Sequence, residues 1–190
     1  MSDAVLTFDP VQHTYCIDGR PVPSVTQVLK DVGLIDTSWF TEEARLRGTY
    51  VHLATQYLDE GDLADESVNP LYRGYVQAYQ RFLDTALPAW DRIEHRVCDP
   101  VLGYAGTFDR VGVLQGRRWL VDIKTGEFST AGLQTAAYRR CLPEPYGVRR
   151  AALQLRADGT FGFHELNDRR DESRFLAALV VWQTKQEIAA

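Results

Sequence analysis

The stretch from Gly106 to Gly126, GTFDRVGVLQGRRWLVDIKTG, constrains the fold more than any other. Two largely apolar runs flank Gln115-Gly116, a two-residue loop of the kind that joins antiparallel strands. With that loop, Leu114 pairs with Arg117 and Asp109 falls opposite Asp122. Directly opposed side chains share a face and sit roughly 5 Å apart. Lys124, two residues beyond Asp122, joins them. The other face carries Trp119, Val121 and Ile123, together with Phe108, as ordinary core. Two opposed carboxylates repel, and burial with repulsion raises the pKa of at least one. A hard divalent cation removes the conflict, because Mg²⁺ takes oxygen ligands from one or two carboxylates. A lone Asp on a strand is usually a solvated or paired residue. Three ionisable residues converging within apolar strands weigh against that reading, provided the register holds.

The flanking sequence supplies the other layers. TYCIDGRPVP reads as a strand entering a turn at Asp18-Gly19. SVTQVLKDVG reads as a helix, with capping-box spacing between Ser24 and Gln27 and Gly33 at its end. A second helix runs from the N-cap Thr41 to about Gly61. A third is expected to start at Asn69 as cap and Pro70 as first residue. DRIEHRV alternates, with Ile93 and Val97 on one face and Glu94 and Arg96 on the other. After the central hairpin, TAGLQTAAYRRCL returns to helix. RRAALQLRA and FGFHEL form a second hairpin at Asp158-Gly159, and a helix closes the chain. Helices, three strands, a helix, two strands and a helix make a mixed α/β (α+β) fold with helices packed on a central sheet.

The chain has 190 residues, enough for one domain with a sizeable core. We expect a single domain over 1–190, with an N-terminal hairpin and helical part (about 1–88) and a sheet core (about 89–190). No basic segment followed by an apolar run opens the sequence, and the longest apolar run is too short to span a bilayer. A cytoplasmic protein with no membrane partner is therefore expected. Cys16, Cys98 and Cys141 are three, far apart and in no CxxC spacing. That argues against a disulfide framework, a zinc knuckle or an iron–sulfur cluster. The net charge of −5 counts against nucleic-acid binding by bulk charge. The segment from Arg110 to Arg156, however, holds nine bases against three acids, a locally basic region.

GTFDRVG, WLVDIKTG and LQTAAY, in that order, resemble the PD-(D/E)XK nuclease superfamily and most closely its RecB-like branch. That branch includes RecB and AddAB nuclease domains, CRISPR-adaptation nucleases and phage exonucleases. The resemblance covers about residues 20 to 166 and implies a restriction-endonuclease-like core. The family's second-strand acid falls on Asp109, its D-x-K on Asp122 and Lys124, and the later Q-x-x-x-Y on Gln134 and Tyr138. GTYVH supplies Gly48 and His52 in the place of an upstream histidine.

The resemblance implies a phosphodiester hydrolase acting on DNA with Mg²⁺ or Mn²⁺. Asp109, Asp122, the Ile123 carbonyl and His52 are the implied metal ligands, and Glu94 is a possible additional acid. Lys124, Asp122, Asp109, Gln134 and Tyr138 are the implied catalytic set. Gln134 and Tyr138 are four apart and share a helical face, where they could bond a phosphate or orient Lys124. Gly48 would let its helix approach another backbone closely. An imidazole ligand favours Mn²⁺ over Mg²⁺. Arg110, Arg139 and Arg140, with Arg149 and Arg150, are candidate contacts to DNA phosphates. The cysteines do not match the cluster of iron–sulfur relatives, and no Walker motif marks a fused helicase. A free-standing nuclease of this size resembles phage or prophage recombination exonucleases, which could work beside a separate helicase or annealing protein. The alternatives are a structure-specific or restriction-type endonuclease, or a nuclease-fold DNA-binding or assembly subunit with little catalysis.

Overall fold

A computed structural model of the chain describes residues 4–35 and 41–189. Three short strands lead it: β1 (Leu6–Asp9), β2 (Thr14–Ile17) and β3 (Arg20–Val22). They form a small antiparallel sheet in that order. Asp18 and Gly19, with φ of 50° and 75°, make the tight turn that the Asp-Gly pair favours. β1 carries no turn signal of its own and is not evident from the sequence.

Helix α1 (Val25–Asp31) starts where Ser24 Oγ accepts the Gln27 N–H at 3.0 Å. Helix α2 (Glu42–Glu60) starts at Thr41, whose hydroxyl accepts the Ala44 N–H at 3.1 Å, and ends on left-handed Gly61. Each cap satisfies an N–H that the helix leaves without a partner. Helix α3 covers Arg73–Ala86, so it begins later than Asn69-Pro70 implies. The Asn69 side chain instead accepts the Leu71 N–H at 3.0 Å. That local turn competes with the helix and delays it.

The main sheet follows. Strands β4 (Ala89–Asp99), β5 (Tyr104–Leu114) and β6 (Arg117–Lys124) run antiparallel. Helix α4 (Ala131–Arg140) carries the chain over to β7 (Arg149–Leu155), which pairs parallel with β6. β8 (Phe161–Glu165) returns antiparallel, and α5 (Asp171–Ala189) closes the fold. The five strands lie in sequence order. This mixed central sheet with flanking helices is the α/β arrangement expected of a restriction-endonuclease-like core.

Both faces of the sheet are covered. On one, α1, α4 and α5 bury Leu29, Phe175 and Leu179 against Phe108, Val111 and Leu120. On the other, α2 and α3 bury Val51, Tyr79 and Phe82 against Val121, Ile123 and Leu153. Each such side chain contributes about 1.5–3 kcal/mol on leaving water. Phe108 thus packs on the face opposite Val121 and Ile123, and not beside them as strict alternation implies. Among the described residues no helix is long and apolar enough to cross a membrane.

Candidate metal centre

The expected loop forms: Gln115 and Gly116 have φ of 48° and 71°, as a type I′ turn requires. Leu114 pairs with Arg117, and the ladder holds to Arg110 opposite Val121. One rung further it ends. Asp109 does not face Asp122 across a continued ladder. Its Oδ2 accepts the backbone N–H of Ile123 at 2.5 Å, so the carboxylate plugs the fork where β5 and β6 part. The same departure turns Phe108 to the other face.

The acid that meets Asp109 across a ladder is Glu94. β4 and β5 pair Ile93 with Arg110 and His95 with Phe108, which leaves Glu94 and Asp109 on the rung between. Glu94 has φ 45°. A non-glycine residue held there costs about 1–3 kcal/mol, and the surrounding structure must enforce it.

His52, on α2, completes the cluster. Its Nδ1 lies 3.4 Å from Asp109 Oδ1 and 3.6 Å from Glu94 Oε1. The ligand atoms of His52, Glu94 and Asp109 lie within 4.8 Å of one another. Burial works against a charged His52, but Asp109 and then Glu94 outweigh it and hold the imidazole at about 10. Burial would push Asp109 up, yet His52, Lys124 and the Ile123 N–H hold it down, at about 2. Without a cation, a proton on His52 balances the two acids.

Asp122 is buried beside them. Burial is the main cause that raises its carboxyl to about 6, and the Asp109 charge adds to it, while Lys124 opposes. Lys124 Nζ lies 2.8 Å from Asp122 Oδ2. The two side chains form a short, largely buried ion pair. The imidazole of His52 and the carboxylates of Glu94 and Asp109, with Asp122 beside them, fit a divalent cation.

The arginines behave differently from expectation. Arg110 is fully buried. It bonds Asp59 at 2.6 Å, Glu94 at 3.0 Å, the Asp109 carbonyl at 2.8 Å and Thr55 at 3.2 Å. It therefore presents no surface to DNA. Arg139 and Arg140 face Glu172, with Arg140 also on Asp99, and line a separate cavity. Arg150 is buried on Asp171 and the Gly132 carbonyl, and Arg149 lies over Trp119.

On α4, Gln134 and Tyr138 are both buried. Gln134 Nε2 donates to Thr26 Oγ1 at 3.2 Å, tying α4 to α1. Burial, then the charges of Asp122 and Asp109, push the Tyr138 phenol well above its ordinary value. It is a neutral donor at neutral pH.

Two cavities flank the cluster. One, of about 500 Å³, is lined by Arg45, Arg47, Gly48, His52, Ile123 and Lys124, among others. Gly48 meets no backbone there, since a Cβ would find nothing within 4 Å. Arg47 Nε reaches Thr125 Oγ1 at 3.4 Å. Arg45 and Arg47 were not among the sequence candidates, although Arg45, Gly48 and His52 have the spacing of one helical face. The other cavity, of about 390 Å³, is lined by Glu94, Gln56, Arg96 and Tyr138 together with the aromatic residues of the small sheet.

No protein-family model and no curated protein matches the chain. Among solved structures it is similar to an alkaline exonuclease, LHK-Exo, from Laribacter hongkongensis. The two are 16% identical with a TM-score of 0.31, over 87% of this chain and 92% of that one.

Proposed function

We propose that the chain is a divalent-metal-dependent deoxyribonuclease, an exonuclease that hydrolyses phosphodiester bonds at DNA ends during recombination or repair. The observation that carries this reading is the convergence of His52, Glu94 and Asp109 beside the Asp122–Lys124 pair. In this reading residues 1–190 act as one nuclease unit. His52, Glu94, Asp109 and Asp122 are the residues that would hold Mg²⁺ or Mn²⁺, with the Ile123 carbonyl nearby. When bound, such an ion lowers the pKa of a water and neutralises charge on the phosphate.

The chain's own groups do the rest. Lys124, at the cavity wall, stabilises negative charge on the phosphoryl oxygens as it builds up. Arg47 lines the same cavity and can hold a flanking backbone phosphate, while Arg45 beside it is paired with Glu42. Tyr138 keeps its proton and donates beside the carboxylates. Gln134 positions α4 through Thr26. Hydrolysis breaks one P–O ester bond, and water supplies the new one.

The test is cleavage of end-labelled linear DNA, single- and double-stranded, beside closed circles, with Mg²⁺, Mn²⁺ or EDTA. The expected result is release of nucleotides from linear DNA only with metal, with circles intact. Lys124→Ala should slow it at least about 100-fold. Cleaved circles would make the chain an endonuclease, and no metal-dependent cleavage would end the nuclease reading.

A further inference from the structure

The small N-terminal sheet builds an aromatic wall beside the cluster. Phe8 lies 5.1 Å from His13 and 4.6 Å from Tyr15, ring centre to ring centre. Tyr15 is buried, and its hydroxyl is 2.8 Å from Thr107 Oγ1, which fixes the wall to β5. Phe8 is only half-buried and His13 is exposed, and neither joins a hydrophobic core of the fold. The Arg96 guanidinium sits 4.7 Å above the Phe8 ring. Among the described residues no carboxylate pairs with Arg96, so its charge stays available.

We propose that this cavity is a subsite for an unpaired nucleobase of the DNA strand being cut, so that the chain engages single-stranded or frayed ends. The inference rests on the nuclease reading for the nature of the ligand. Three observations support it. Stacking on aromatic faces, with arginine beside them, is how unpaired bases are held without sequence preference. At about 390 Å³, with Ser24, Thr26 and Gln56 as neutral hydrogen-bonding groups, the cavity is open and has the size of a small-ligand site. Glu94 belongs both to this cavity and to the metal cluster, so a base here and a phosphate there lie in neighbouring positions along one strand. A base locked in a duplex must leave its stack before it can enter such a cavity.

The experiment uses the full chain with Ca²⁺ and oligonucleotides carrying 2-aminopurine, either in a single-stranded overhang or in a blunt duplex. The wild type should quench the overhang probe. Phe8→Ala and His13→Ala should lose the quenching and bind the overhang about tenfold or more weakly, with a smaller loss for the blunt duplex, whose end must fray first. Phe8→Tyr should keep both. If Phe8→Ala melts early, His13→Ala at its exposed position decides. Variants that quench and bind like the wild type would overturn the subsite. Persistent quenching that depends on Phe8 and His13, with no metal-dependent cleavage, would support the subsite while ending the nuclease reading.

Discussion

Arg110 Nη1 donates to Glu94 Oε1 at 3.0 Å, and that same oxygen lies 3.6 Å from His52 Nδ1. A fully buried guanidinium thus holds the left-handed Glu94 against the cluster from behind. Its Nε is bonded to Asp59, which also accepts from the Tyr79 hydroxyl at 2.7 Å. Taking away one partner leaves buried acids uncompensated, at about 3–5 kcal/mol. Arg110→Met should lower the unfolding free energy by about that much in urea titrations. Arg110→Lys should fall between, since it keeps the charge and loses the planar fork. Wild-type midpoints for both would contradict this role.

Gly106 is where β5 admits Tyr138. A Cβ there would lie 2.6 Å from Tyr138 Cε1, and the ring is buried on α4. Gly106→Ala should therefore cost about 1–3 kcal/mol of overpacking. For a chain of this size that lowers the melting temperature by roughly 2–12 °C. An unchanged melting curve would place the Tyr138 ring elsewhere.

His52 gives the metal-free protein a pH dependence. Its folded pKa, about 10, lies above the ordinary value of about 6.5. The folded chain therefore binds that proton more tightly than the unfolded chain does. The stabilisation is complete below about pH 6.5 and is lost as pH rises through about 10. In EDTA, thermal melts should show wild-type stability falling across that window, and His52→Gln should flatten the fall. A metal must displace the same proton, so calorimetry should detect proton release when Mn²⁺ binds. Identical melts for wild type and His52→Gln at every pH would refute the assignment.

Local signals carried much of the fold into view. Gln115-Gly116 set the hairpin register, and Ser24 and Thr41 set two helix starts, because each acts on its immediate neighbours. The register rule then failed one rung beyond its reach. Nothing in the strand pattern marks where β5 and β6 part, so the pattern does not show that Asp109 turns to the Ile123 N–H and lies beside Glu94 as well. Alternation put Glu94 on a face but could not show its positive φ, which tertiary contacts impose. Arg110 read as a surface base. Its burial depends on Thr55, Asp59, Tyr79 and Glu94, brought together from two helices and a neighbouring strand. Arg45 is within reach of the sequence, since helical spacing links it to His52.

In the proposed reading, cleavage depends on a metal centre formed by Glu94, His52 and Asp109. The direct measurement is Mn²⁺ binding by calorimetry, paired with cleavage of end-labelled DNA, for wild type and Glu94→Gln. The wild type should bind Mn²⁺ and cleave. Glu94→Gln should lose about tenfold or more in both while remaining folded. A variant that binds Mn²⁺ and cleaves as the wild type does would rule Glu94 out of the metal centre.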